Sequence, residues 1–204
     1  MPTRPYRTRT RPSRSERTRA HITATVRELL AEGTFHASTM EEVADRAGIA
    51  RATLYQHFRS RLELVDAICE AFAENPALLE LRGIMELPDA DAALDGTIAN
   101  SVRFWSSEDA VLRQLYGVAA VDQAAQDLVD RQRADRRQEL ERLAHNLDRS
   151  GRLRAGTTER RALTLLLVLT SYDTFRELKE AGLSDRQATK LLQESAAELL
   201  LERA

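Results

Sequence analysis

Residues 39–64 read TMEEVADRAGIARATLYQHFRSRLEL, and their reading decides the fold. Thr39-x-x-Glu42 has the form of a capping box, in which two side chains satisfy backbone donors at a helix start. Met40, Val43, Ala44 and Ala47 follow at i, i+3, i+4 and i+7, one apolar stripe of a short helix. Gly48 breaks it. In the next helix, placed at 50–57, Leu54 and Phe58 face inward at i and i+4. Arg51, Ala52, Tyr55 and Gln56 are left on the other side. Ser60-x-x-Glu63 opens a further helix, with Leu62, Val65, Ile68, Cys69 and Phe72 on its inner side and Pro76 closing it. Two short helices with glycine in the turn between them form a helix-turn-helix. A plain helical hairpin with a charged surface has the same spacing.

Working outward, a first helix is expected at 15–31, capped by Ser13-x-x-Glu16 or by Ser15 and ended by Gly33. Its stripe is Ile22, Val26, Leu29 and Leu30. Residues 1–14 carry five arginines, three prolines and no acidic residue. They offer too little apolar surface to offset ordering entropy, so a disordered basic arm is expected. A solubilising tail is the plainer reading of the same composition. The net charge of −2 conceals an asymmetry. Residues 1–62 hold 12 arginines against 6 acidic side chains, whereas residues 63–204 hold 18 basic and 26 acidic ones. A basic part that meets an anion, followed by an acidic part that does not, is the implied organisation.

The exposed face of the helix at 50–57 suits DNA. Arg51 has the fork to read guanine and Gln56 the amide to read adenine. The Tyr55 hydroxyl is placed for a phosphate, and Ala52 is small enough to let the helix approach a groove. Arg59 and Arg61 follow beside a helix N-terminus, whose backbone donors also attract phosphate. Arginines of an unstructured arm are able to lie in a minor groove.

The stretch Arg19-x-x-Ile22 … Leu30-Ala31-Glu32-Gly33 … Ser38-Thr39-Met40-x-x-Val43-Ala44-x-x-Ala47-Gly48-Ile49-Ala50-x-x-Thr53-Leu54-Tyr55-x-His57-Phe58-x-Ser60-Arg61-x-x-Leu64 resembles the tetracycline-repressor (TetR) family of bacterial transcriptional regulators. The resemblance covers about residues 15–70; beyond it, only length and helix pattern are similar. It implies an all-α fold: an arm at 1–14, a three-helix DNA-binding domain at 15–62, and a helical effector-binding and dimerisation domain at 63–204. It implies that Thr39, Thr53, Tyr55, His57 and Arg61 hold the DNA backbone or adjoining bases, and that Arg51, Ala52 and Gln56 touch bases. It also implies a homodimer on a palindromic operator, released when a small effector binds. Three positions depart from the family pattern. Ala50 stands where Ser or Thr usually caps the recognition helix, Ala52 where Gly is common, and Arg61 where Lys is usual.

In the remainder, helices are placed near 77–86, 89–106, 108–120, 122–149, 157–181 and 184–203. No strand-like alternation appears. The last two helices carry wide apolar surfaces: Leu163 to Leu169, and the stripe Ala188, Leu191, Leu192, Ala196, Leu199 and Leu200. Pairing across a two-fold axis would bury both in a four-helix bundle between subunits. Candidate ligand-contacting residues are Phe104, Trp105, Tyr116, His145, Tyr172 and Phe175, although aromatic residues equally serve as core. The polar segment 130–139 is read as a solvated helix face laced with ion pairs.

Catalytic signatures are wanting. The four histidines are scattered, no glycine-rich phosphate loop or Gly-x-Ser-x-Gly elbow occurs, and Cys69 lies on an apolar helix face. No enzyme, cofactor or metal site is expected, and one cysteine excludes a disulfide framework. The longest apolar run is too short for a bilayer. The expectation is a cytoplasmic, ligand-responsive repressor that partners double-stranded DNA, itself and an unidentified effector, without a membrane. The alternative is an effector-independent architectural DNA-binding protein.

Overall fold

The computed structural model describes residues 13–202. The arm expected at 1–14 therefore falls outside it, except that Ser13 caps the first helix and Arg14 begins it. Among the described residues there are helices and one isolated bridge, Leu153 to Leu201, but no strand. The chain divides into two compact units after Ile68, within the fourth helix.

The first unit begins with α1 (Arg14–Ala31). The capping box decides its start: Glu16 N–H donates to Ser13 Oγ at 3.1 Å, and Ser13 N–H donates to the Glu16 carboxylate at 2.6 Å. Gly33, at φ +74°, takes the left-handed turn that ends it. A short 3₁₀ turn over Phe35–Ala37, which the spacing did not predict, drives Phe35 into the core. Next come α2 (Met40–Arg46) and α3 (Arg51–His57). Between them Gly48 sits at φ +63°, and Ile49 N–H closes back on the Ala44 carbonyl at 3.0 Å. A side chain at position 48 would be strained there.

The core of this unit is Ile22, Val26, Leu30, Phe35, Val43, Leu54, Phe58 and Leu64, each 0 or 1% exposed. Each large side chain so buried stabilises by roughly 1.5–3 kcal/mol. Polar ties from α1 add direction. The His21 imidazole donates from Nε2 to the Ala47 carbonyl at 2.9 Å. Arg19 lies over the Phe58 ring at 4.3 Å and donates to the His57 carbonyl at 3.1 Å. Thus α1 grips both the turn and the end of α3.

α4 (Arg61–Phe72) ends before the position expected from Pro76. Pro76 instead opens α5 (Pro76–Met85) as its first residue, where its missing N–H costs nothing, and Asn75 caps that helix. The second unit is built on α6 (Ala90–Ala119), against which α5, α7 (Gln123–Arg149) and α10 (Asp185–Leu200) pack. Gly96 allows the close approach of α5, since a Cβ there would meet Ile84 Cγ2 at 2.6 Å.

Two expected boundaries are corrected. The helices placed at 89–106 and 108–120 are one continuous α6. Its serines do not restart a helix: Ser107 donates to the Phe104 carbonyl at 2.9 Å and Ser106 to Asp185 at 2.5 Å. Conversely, the helix placed at 157–181 is two, α8 (Glu159–Leu169) and α9 (Tyr172–Glu180). The chain breaks at Thr170–Ser171 because Ser171 Oγ accepts Thr174 N–H at 3.0 Å and caps a new helix. The Thr170 carbonyl, freed by that break, accepts the Trp105 indole N–H at 2.9 Å. Nor is α8 buried all round within one chain. Leu163 and Leu166 are buried, but Val168 is 57% exposed.

Candidate nucleic-acid interface and ligand cavity

The inner side of α3 is fixed by Leu54 and Phe58, both fully buried. With them locked, helical geometry turns Arg51, Ala52, Tyr55 and Gln56 to solvent, where all four are exposed. The Arg51 guanidinium lies 5.5 Å over the Tyr55 ring and 3.5 Å from the Glu41 carboxylate. Both partners of that ion pair are more than half exposed, so it contributes little and yields readily to a competing acceptor. Thr53 and His57 are half-buried on the flanks of the same helix.

Ala50 is the N-cap of α3 and supplies no side-chain hydrogen bond. Its extended backbone already has the geometry that a capping hydroxyl needs. Ala50→Ser is therefore expected to stabilise the fold by about 1 kcal/mol. A rise in the chemical unfolding midpoint with an unchanged slope checks it; an unchanged midpoint contradicts it.

Thr39 is exposed as the N-cap of α2, but its hydroxyl is engaged. It accepts Glu42 N–H at 3.2 Å and donates to the Glu42 carboxylate at 3.0 Å. Hydrogen bonds from the Thr39 backbone and side chain hold the Glu42 carboxyl below its ordinary pKa. At the head of α4, Ser60 Oγ accepts Glu63 N–H at 3.2 Å and Glu63 accepts Arg59 N–H at 2.8 Å. Those donors are thereby partly occupied. Arg61 departs furthest from expectation. Its guanidinium donates to the Phe35 carbonyl at 2.6 Å and stacks over the Phe35 ring at 4.5 Å. Burial lowers its pKa. It acts from inside as a brace for the 3₁₀ turn.

In the second unit, a cavity of about 400 Å³ opens among α5, α6, α7 and the start of α9. That volume is in the usual range for small-molecule sites. Of the six candidates named from sequence, Phe104, Trp105, Tyr116 and Tyr172 line it. They form a continuous aromatic wall. Phe104 meets Trp105 edge-on at 4.8 Å, Trp105 lies 5.6 Å from Tyr172, and Tyr172 stacks on Tyr116 at 5.2 Å. Phe175 backs Tyr172 at 6.2 Å without reaching the cavity. His145 is not part of it either: it lies exposed, 3.3 Å from Glu159.

The Tyr172 hydroxyl donates to Asp109 at 2.7 Å. Burial, followed by that bond, raises the Tyr172 pKa, so the phenol stays neutral. Burial works to raise the Asp109 carboxyl, but the bonds from Tyr172 and Arg113 outweigh it and leave the group below its ordinary value.

The segment 130–139 is a solvated face only in part, which corrects the expectation from its polarity. Arg133–Asp130 and Arg137–Glu141 do form surface pairs. Arg136, however, turns inward and lines the cavity. It donates to the Leu167 carbonyl at 3.2 Å and to the Thr170 hydroxyl at 2.5 Å. Its guanidinium lies 5.9 Å from the Trp105 ring centre, and burial pushes its pKa down to about 10. It remains charged at neutral pH. Thr97 and Asn100 also line the cavity, both buried, with Asn100 donating to the Ala77 carbonyl at 2.8 Å. Sequence periodicity marked α7 as polar but carried no signal for which arginine faces inward. Among the described residues no cluster of His, Cys, Asp and Glu is suited to a metal ion, and no helix is long and apolar enough to cross a membrane.

Comparison with known proteins follows the same division. Residues 22–68 match the family described as bacterial regulatory proteins, tetR family. Over 62 residues the chain is 40% identical to the HTH-type transcriptional activator FasR of Mycolicibacterium smegmatis, a match that takes in 30% of this chain and 28% of that relative. The chain thus spans under a third of that relative's length. Among solved structures, GusR of Salmonella enterica is similar at a TM-score of 0.73 and 20% identity, with 94% of this chain and 99% of that one covered. A transcriptional regulator from Saccharomonospora viridis in complex with choline has a TM-score of 0.73 at 16% identity, covering 92% and 99%. Identities this low establish likeness of fold.

Proposed function

From the membership of this chain in the tetR family of bacterial transcriptional regulators, we propose that it is a ligand-responsive repressor. It binds a near-palindromic operator as a homodimer and leaves DNA when a small molecule fills the cavity of the second unit. The observation that carries the DNA assignment is the face of α3. Arg51, Ala52, Tyr55 and Gln56 stand exposed together on a helix pinned from behind by Leu54 and Phe58. Arg51 and Gln56 specify bases, with Ala52 in contact range of a thymine methyl, while Thr39, Thr53, Tyr55 and His57 set position on the backbone. Arg61 is assigned a supporting role, since its guanidinium is spent on the Phe35 and His36 carbonyls.

Homodimerisation is supported by apolar side chains that one chain leaves outside. Among them are Val168 on α8 and Leu191 and Leu199 on α10, at 57, 43 and 43% exposure, which fall on the two helices expected to pair. A two-fold pairing through these helices matches a two-fold operator. Ligand response follows from the cavity, provided that a ligand binds one arrangement of the dimer better than the other. The choline complex of a fold neighbour supports a ligand site in this architecture. Repression follows from a dimer sitting on promoter DNA. The relative in Mycolicibacterium smegmatis carries the name of an activator, so transcription from an operator-bearing template is the measurement that fixes the sign.

Arg51→Ala and Tyr55→Ala test the recognition face. A duplex selected from a random pool is titrated by fluorescence anisotropy. Arg51→Ala is expected to weaken binding by about 10-fold or more, the worth of one bidentate base contact. Tyr55→Ala is expected to weaken it uniformly across sequences. If both bind as the wild type does, α3 is not the reading helix.

A further inference from the structure

Arg136 is the one cavity-lining cation whose pairing the surface does not explain. Of the arginines along α7, Arg133, Arg137 and Arg142 each have a carboxylate partner. Arg136 has none among the described residues, although it is half-buried and desolvation lowers its pKa. Its two hydrogen bonds both leave from Nη2 and go to neutral acceptors at the end of α8. Capping the carbonyl end of a helix with a cation is favourable and accounts for Nη2. It does not account for Nε and Nη1, which make no hydrogen bond among the described residues. Neither nitrogen is sealed from solvent, so both donors are open to a ligand that enters the cavity.

We propose that the cavity takes an amphipathic organic anion, whose carboxylate is received by the free edge of Arg136 and whose apolar body lies against the aromatic wall. This rests on the reading of the cavity as the ligand site. A guanidinium presents two parallel donors that match a carboxylate, so the head group is oriented as well as attracted. Arg133, over the Tyr116 ring at 5.3 Å, is already paired with Asp130, which leaves Arg136 as the receiving cation. The cavity also has carboxylates on its lining, and with its aromatic residues they raise the case for a cationic ligand. The placement of charge decides against it. Glu139 is paired with Arg142 at 2.6 Å, and Asp135 and Asp173 are exposed. Meanwhile the π faces of Trp105 and Tyr116, which a quaternary ammonium would need, already have guanidinium groups over them.

The anion would bind beside the α8–α9 break. Arg136 bonds the Thr170 hydroxyl and the Leu167 carbonyl, and Trp105 bonds the Thr170 carbonyl. A carboxylate that draws the guanidinium toward itself competes with those bonds. Occupancy is thereby coupled to the end of α8, the helix whose Val168 remains exposed.

Trp105, the sole tryptophan of the chain, provides the readout. The full chain is titrated with decanoate, decanol and decyltrimethylammonium while its fluorescence is followed. Decanoate is expected to give a saturable change at about 10-fold or more lower concentration than decanol, the worth of a charge-assisted hydrogen bond. Arg136→Gln is expected to abolish that preference and leave the decanol response in place, with a retained thermal midpoint showing that it folds. Arg136→Lys, which keeps the charge but loses the fork, is expected to fall between. Equal response to decanoate and decanol, or no effect of Arg136→Gln, overturns the proposal. A response to decyltrimethylammonium alone overturns the anion assignment and leaves the cavity as a ligand site. No response to any of the three overturns both.

Discussion

Phe58→Ala is expected to cost about 3–5 kcal/mol and to remove operator binding altogether. Phe58 is fully buried at the end of α3, where the chain turns extended toward α4. Its N–H closes the last turn of α3 on the Leu54 carbonyl at 2.8 Å, and its ring is the platform for Arg19. Truncation leaves a cavity beneath both. The unit concerned has one longer helix, two short ones, a 3₁₀ turn and the start of a fourth helix, so its stability lies at the low end of the range for domains. A loss of this size consumes most of it. Hydrogen exchange read by mass spectrometry is expected to rise across α1, α2 and α3. Phe58→Leu retains much of the volume and is expected to keep the fold at a smaller cost, since it loses chiefly the stacking with Arg19. Undiminished protection in Phe58→Ala would mean that this residue does not hold the reading head together.

Val168→Asp has the second large effect, and it acts on assembly. Within one chain Val168 is mostly exposed, so a carboxylate there leaves the subunit fold intact. In a two-fold seam the same position occurs twice. Each buried unpaired charge costs roughly 3–5 kcal/mol, so dimer affinity is expected to fall by more than about a thousandfold. Sedimentation velocity is expected to show a dimer for the wild type and a monomer for the variant. Operator affinity should fall with it, because one head reads one half-site. A variant that stays dimeric would place the seam elsewhere than α8.

The reading head was legible because its signals are local. Thr39-x-x-Glu42, Gly48 and Ser60-x-x-Glu63 each act over three or four residues, and each does in the structure what its spacing predicts. The second unit was less legible because its decisive contacts are distant in sequence. Nothing within α6 says that Ser106 will find Asp185 and leave the helix unbroken. The single helix placed over 157–181 followed the apolar run Leu163 to Leu169, and the cap at Ser171 divides it. Arg61 and Arg136 are the sharpest cases. Both carry a charge that composition assigns to the surface, and both are drawn inward by carbonyls on remote segments. Four of the six residues named as candidate ligand contacts line the cavity, since large aromatic residues on facing helices converge on the same interior. His145 and Phe175 do not, because one faces solvent and the other is pure core.

The central claim is sequence-specific DNA binding by a dimer through α3. Its most direct test is an equilibrium titration of the full chain on a duplex selected from a random pool and on a scrambled duplex of the same length, at one stated salt concentration. The account predicts two chains per selected duplex and an affinity at least about a thousandfold above that for the scrambled one. Equal affinity for the two duplexes, lost alike as salt rises, would contradict it and would mark an architectural DNA-coating protein instead.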